Sequence, residues 1–105
     1  MNQVQDHQTA TTIVRQIGMQ NILAISGGRK YLIPSNAQHG AGVRLPVSNG
    51  HHVEVIYELN DTYTVRGYFE RKGKRTITHQ FFDVYCDQLG ELAYKASCYH
   101  DKKGD

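Results

Sequence analysis

Tryptophan is absent from these 105 residues, cysteine and proline occur twice each, and neither sign of charge prevails. No apolar run approaches the roughly 20 residues that cross a bilayer as a helix, so no membrane partner is expected. Two cysteines are too few for a disulfide framework. Cys86 and Cys98 both fall in what reads as one carboxy-terminal helix, twelve residues apart. At about 1.5 Å per residue they sit about 18 Å apart along the rod, whereas a disulfide needs Cα atoms within about 7 Å. Unpaired thiols suit a reducing cytoplasm, and Met1–Gln8 is polar, without the apolar segment of a secretion signal. Twelve Lys and Arg against ten Asp and Glu leave a net charge of +2. That balance excludes a strongly acidic DNA mimic and does not demand nucleic acid unless the positive side chains cluster.

Patterns that carry chemistry are also missing. The six histidines form no His-x-His or His-x3-His pair, and the cysteines no Cys-x2-Cys, the spacings that hold zinc. His51 and His52 are neighbours on an extended segment and point to opposite faces. Ser26 stands in Ser-Gly-Gly, not in a Gly-x-Ser-x-Gly elbow. Cys86 has Asp83 and Asp87 nearby, not the electropositive surroundings that a reactive thiolate needs. Gly27-Gly28 precedes an extended run where a phosphate-binding turn requires a helix. The reading is of no enzyme, no metal and no cofactor.

What is present suffices for one folded domain over 1–105: 39% apolar residues, with seven tyrosines and three phenylalanines. Met1–Gln8 reads as a flexible leader and 100–105 as a flexible tail. Thr9 is placed to cap a helix carrying Ala10, Ile13, Val14 and Ile17 on one stripe, and Gly18 to end it. Ile22–Ile25 and Tyr31–Ile33 flank Ser26-Gly27-Gly28-Arg29, which reads as a hairpin. After the loop Ser35–Gly42, Val43–Val47 contains Pro46, which confines it to an edge strand or the approach to one. Ser48-Asn49-Gly50 is a turn.

The next forty residues alternate. Val53, Val55, Tyr57, Leu59, Tyr63, Val65, Phe69, Ile77 and Phe81 are all odd-numbered, the period of half-buried antiparallel strands. A one-residue slip would flip every side chain. Keeping these residues on one face calls for three-residue loops at Asn60-Asp61-Thr62 (or a bulge there) and at Lys72-Gly73-Lys74. From Phe82 the period becomes helical, with Tyr85, Leu89, Leu92, Ala93 and Ala96 on one stripe and Asp83 as its cap. The predicted fold is α+β, an antiparallel sheet of about four to five strands with two helices packed on one face.

Two surfaces then stand out. The tip Arg71-Lys72-Gly73-Lys74-Arg75 holds four positive charges in five residues. It suits phosphate contact, or simply a solvated turn that blunts a sheet edge. The even-numbered face presents His52, Glu54, Ile56, Glu58, Thr64, Arg66, Tyr68, Glu70, Thr76, Thr78 and Gln80, too acidic for RNA reading. It suits a protein partner or water. The expected partner-binding residues are Arg66, Tyr68, Arg71, Lys72, Lys74 and Arg75.

Ile22–Gly28, Arg44-Leu45-Pro46, Asp61-Thr62-Tyr63-Thr64-Val65, Val84-Tyr85-x-Asp87-x-Leu89 and Tyr99 follow one another in a set order. From about Thr12 to Tyr99 the chain thereby resembles small α+β proteins encoded by tailed phages and related mobile elements. It departs from them at Ala96-Ser97-Cys98, where they carry Thr-Gly-Leu. The resemblance implies an origin, with a bacterial host cytoplasm as location, and no site residues. The functional expectation is a non-enzymatic accessory protein that binds and occludes a host protein or nucleoprotein, as anti-CRISPR and other counter-defence inhibitors do. The alternative is a nucleic-acid-binding module working through the basic tip. A homodimer is compatible with either.

Overall fold

The computed structural model describes residues 3–98. Helix α1 spans Gln3–Ile17 and helix α2 Met19–Ser26. Strands β1 (Tyr31–Ile33), β2 (Gly42–Pro46), β3 (His51–Tyr57), β4 (Tyr63–Arg71) and β5 (Lys74–Val84) form one antiparallel sheet in sequential order. A turn of 3-10 helix at Cys86–Gln88 leads into helix α3, Leu89–Ser97. This is the α+β class expected, with one α-helix more than the two foreseen. Ile13 and Ile17 of α1, Ile22 and Ile25 of α2, and Leu89, Ala93 and Ala96 of α3 share a core with Val43, Leu45, Val53, Val55 and Val65. Among the described residues, no helix is long and apolar enough to cross a membrane.

Several local expectations are corrected. Residues 3–8 are not a loose leader: they form the first turns of α1, whose buried Asp6 accepts the Ser35 backbone N–H at 3.1 Å. The expected flexible tail, 100–105, and Tyr99 lie outside the described residues. Ile22–Ile25 is helical, not a hairpin strand. A short apolar run does not separate the two by itself, and here Ile22 and Ile25 turn inward while Leu23 is exposed. Gly27 caps α2, its N–H donating to the Leu23 carbonyl at 2.9 Å, so the glycine pair ends a helix instead of turning a hairpin. Strand β2 is internal, but β1 pairs only with Gly42–Arg44. Pro46 lies beyond that reach, where a missing N–H breaks no ladder bond. The region from Phe82 is not yet helix: β5 continues to Val84, and Asp83, at φ 54, is a strand irregularity and not a cap. The Tyr85 N–H instead donates to the Gln88 side chain at 3.1 Å.

The strand parity holds in β3 and β4, where Val53 opposes Gly67, Val55 opposes Val65 and Tyr57 opposes Tyr63. The loop has three residues, Leu59-Asn60-Asp61, one position earlier than expected, with the Glu58 N–H on the Thr62 carbonyl at 2.8 Å. Leu59 is therefore in solvent. The β4–β5 turn departs further. It has two residues, Lys72 and Gly73, at φ 53 and 77, the left-handed pair of a type I′ turn whose twist matches its strands. Arg71 then opposes Lys74, and Ile77 opposes Tyr68 on the outer face, not the core. A bulge opposite Gly67–Tyr68 restores the parity, so Phe81 opposes Val65 and packs on the core.

Gly67 lies where α3 meets the sheet. A Cβ built there would stand 2.4 Å from the Ala96 carbonyl oxygen, closer than packed atoms approach, so only a hydrogen permits this docking. Gly67→Ala is expected to lower stability by about 1–3 kcal/mol, read as a lower urea midpoint with unchanged slope.

Candidate interaction site at the hairpin tip

The two-residue turn sorts the basic residues onto opposite faces. Arg75 opposes Glu70 and joins Tyr68 on the outer face; Lys74 opposes Arg71 and shares a face with Phe69 and Thr76. On the outer face both arginines are engaged. The Arg75 guanidinium carbon lies 3.8 Å from the centre of the Tyr68 ring, and its Nη1 reaches Glu54 Oε1 at 3.4 Å. His52 stacks on the same ring with centroids 5.2 Å apart. Arg66 donates to Glu54 at 2.5 Å and to Gln80 at 2.7 Å. Glu54 thus lies buried between two arginines, and Tyr68 is 1% exposed.

This divides the six residues expected to meet a partner. Tyr68 is buried and has no accessible ring; that expectation is corrected. Arg66 and Arg75 are committed to Glu54 and Tyr68. The even-numbered face is accordingly no open platform, since Glu54, Ile56, Thr64 and Tyr68 are all buried. Arg71, Lys72 and Lys74 are exposed and form no salt bridge among the described residues. With Phe69 and Thr76, Arg71, Lys72 and Lys74 line an open cleft of about 380 Å³. Phe69 is half-buried, its ring centroid 4.9 Å from that of His51. Phe69 keeps the odd-numbered face expected of it, at the end of the sheet where its burial is only partial.

The site is therefore a two-residue turn with three cations, unpaired among the described residues, beside a half-buried aromatic ring. It can meet phosphates or carboxylates and stack or pack one planar or apolar group. Among the described residues no three His, Cys, Asp or Glu side chains gather to hold a metal. The thiols of Cys86 and Cys98 are free. The chain matches no protein-family model, no curated protein and no solved structure.

The division is testable by stability. Glu54→Ala leaves two arginines without their carboxylate and is expected to cost about 2–3 kcal/mol. Arg75→Ala uncovers Tyr68 and costs about 1 kcal/mol. Lys72→Ala and Lys74→Ala stay within about 0.5 kcal/mol. Urea unfolding of the four variants checks the order.

A pH dependence follows from His52, whose Nδ1 is buried without a hydrogen-bond partner among the described residues. Burial first, and then Arg44, holds the imidazole below its ordinary 6.5. The unfolded chain takes up the proton first. The stability due to His52 is complete above 6.5 and is lost as pH falls from there toward the folded-state value. Between about pH 7.5 and about pH 5.5 the wild type should lose more stability than His52→Asn, measured as the shift in urea midpoint.

Proposed function

We propose that this chain is a non-enzymatic accessory protein of a phage or related mobile element that binds and occludes a host protein or nucleoprotein, in the manner of anti-CRISPR and other counter-defence inhibitors. The observation that carries the reading is the tip: Arg71, Lys72 and Lys74 form no ion pair among the described residues and flank or occupy a type I′ turn. Pre-set geometry lowers the ordering cost of binding. Free cations steer toward an acidic surface and are not diverted by intramolecular carboxylates. Phe69 supplies the apolar anchor such a contact needs. The likeness of the sequence to small phage proteins supports the setting, a bacterial host cytoplasm, and occlusion requires complementarity alone.

The tip also supports a second reading, direct binding of nucleic acid, because three cations beside one aromatic ring suit a phosphate backbone with a stacked base. Capture from host lysate separates the two. The wild-type chain should recover a stoichiometric protein or nucleoprotein that Lys72→Glu/Lys74→Glu does not. Recovery of nothing by the wild type, or equal recovery by the variant, refutes the tip as contact. Under the second reading, purified DNA or RNA binds with a log–log salt slope of about −3, one unit per cation lost on neutralisation; binding independent of salt excludes it.

A further inference from the structure

The pole of the sheet opposite the tip carries its chemical complement. There the β3–β4 turn and the end of β5 enclose a cleft of about 330 Å³ lined by Glu58, Leu59, Thr62, Thr64, Phe82 and Asp83, with no Lys or Arg on its walls. Leu59 is 71% and Phe82 61% exposed, two large apolar side chains side by side in solvent at an acidic rim. Exposed apolar surface of this kind marks a contact. Tip and cleft bound the two ends of β4, nine residues long, so they stand about 30 Å apart and cannot meet within one chain.

We propose that the hairpin tip of one copy seats in the acidic cleft of the next, joining copies head to tail. Arg71, Lys72 and Lys74 face Glu58 and Asp83, and Phe69 meets Leu59 and Phe82. A net charge of +2 opposes association little. Because two different patches meet, the contact is heterologous and generates rings or open chains, not an isologous dimer. A knob in one cleft is a small interface of the weak, transient class, held by exposed charges and therefore sensitive to salt. The inference is independent of any host target. A partner that takes the tip would dissolve the assembly, because both compete for the same cations.

Sedimentation equilibrium on the full chain tests it. At about 50 mM salt the weight-average mass should climb above the 11.9 kDa of one copy as concentration rises, and return to it at about 500 mM salt. Lys72→Glu/Lys74→Glu and Glu58→Lys/Asp83→Lys should each be monomeric alone. Their equimolar mixture should associate again, because each reversed surface meets a surface of opposite sign. Leu59→Ser, already in solvent and neutral to folding, should weaken association roughly tenfold. Circular dichroism establishes that each variant is folded. A wild type that stays monomeric at every concentration, as it would were the cleft made for a foreign basic peptide, overturns the proposal. So does association that survives salt and charge reversal, the behaviour of pairing through the β5 edge, or a mixture of folded variants that remains monomeric.

Discussion

A turn of two residues decides what faces where in the last hairpin. Lys72 and Gly73 both take left-handed conformations, and that closes β4 on β5 with Glu70 opposite Arg75. One more residue in the turn would send Arg75 to the helix side and bring Lys74 and Ile77 to different faces as well. With two, Arg75 crosses the Tyr68 ring to Glu54, while Arg71 and Lys74 fall beside Phe69. Both the closure of the outer face and the freedom of the tip descend from this one parity.

The outer face shows how a sheet without a second layer can still be dry. No helix is needed over Tyr68 when an arginine and a histidine both pack against its ring. Glu54 is held by charge-assisted hydrogen bonds, which are stronger than neutral ones. The aliphatic stems of Arg66 and Arg75 cover apolar surface while their heads remain partly wet. Such a face is costly to disrupt and offers little to a partner. The unpaired cations and the exposed Leu59 and Phe82 lie instead at the ends of the strands.

Much of the fold was legible. Period-two alternation placed Val53, Val55, Tyr57, Tyr63 and Val65 together, and the stripe Leu89, Ala93, Ala96 was read as helix. The failures have separate physical causes. Ile22–Ile25 is too short for periodicity to choose between helix and strand, and a glycine pair serves a helix cap as well as a hairpin turn. Pro46 was taken to mark an edge, but a strand can be internal along half its length and open along the rest. The two-residue turn and the bulge beyond it cancel each other in parity, so Phe81 lies on the expected face and Ile77 does not. The charge density of the tip is visible in the sequence, but which of its cations are already paired depends on contacts across three strands. Local sequence does not encode those contacts directly.

The parity of the last hairpin is open to direct observation by NMR. The arrangement described here requires cross-strand contacts between Glu70 and Arg75. It also requires Arg75 side-chain methylenes displaced upfield by the Tyr68 ring, with nuclear Overhauser contacts to that ring. A backbone contact pairing Arg71 with Arg75, with an Arg75 side chain at ordinary shifts, would contradict it and undo the distinction between bound and free cations.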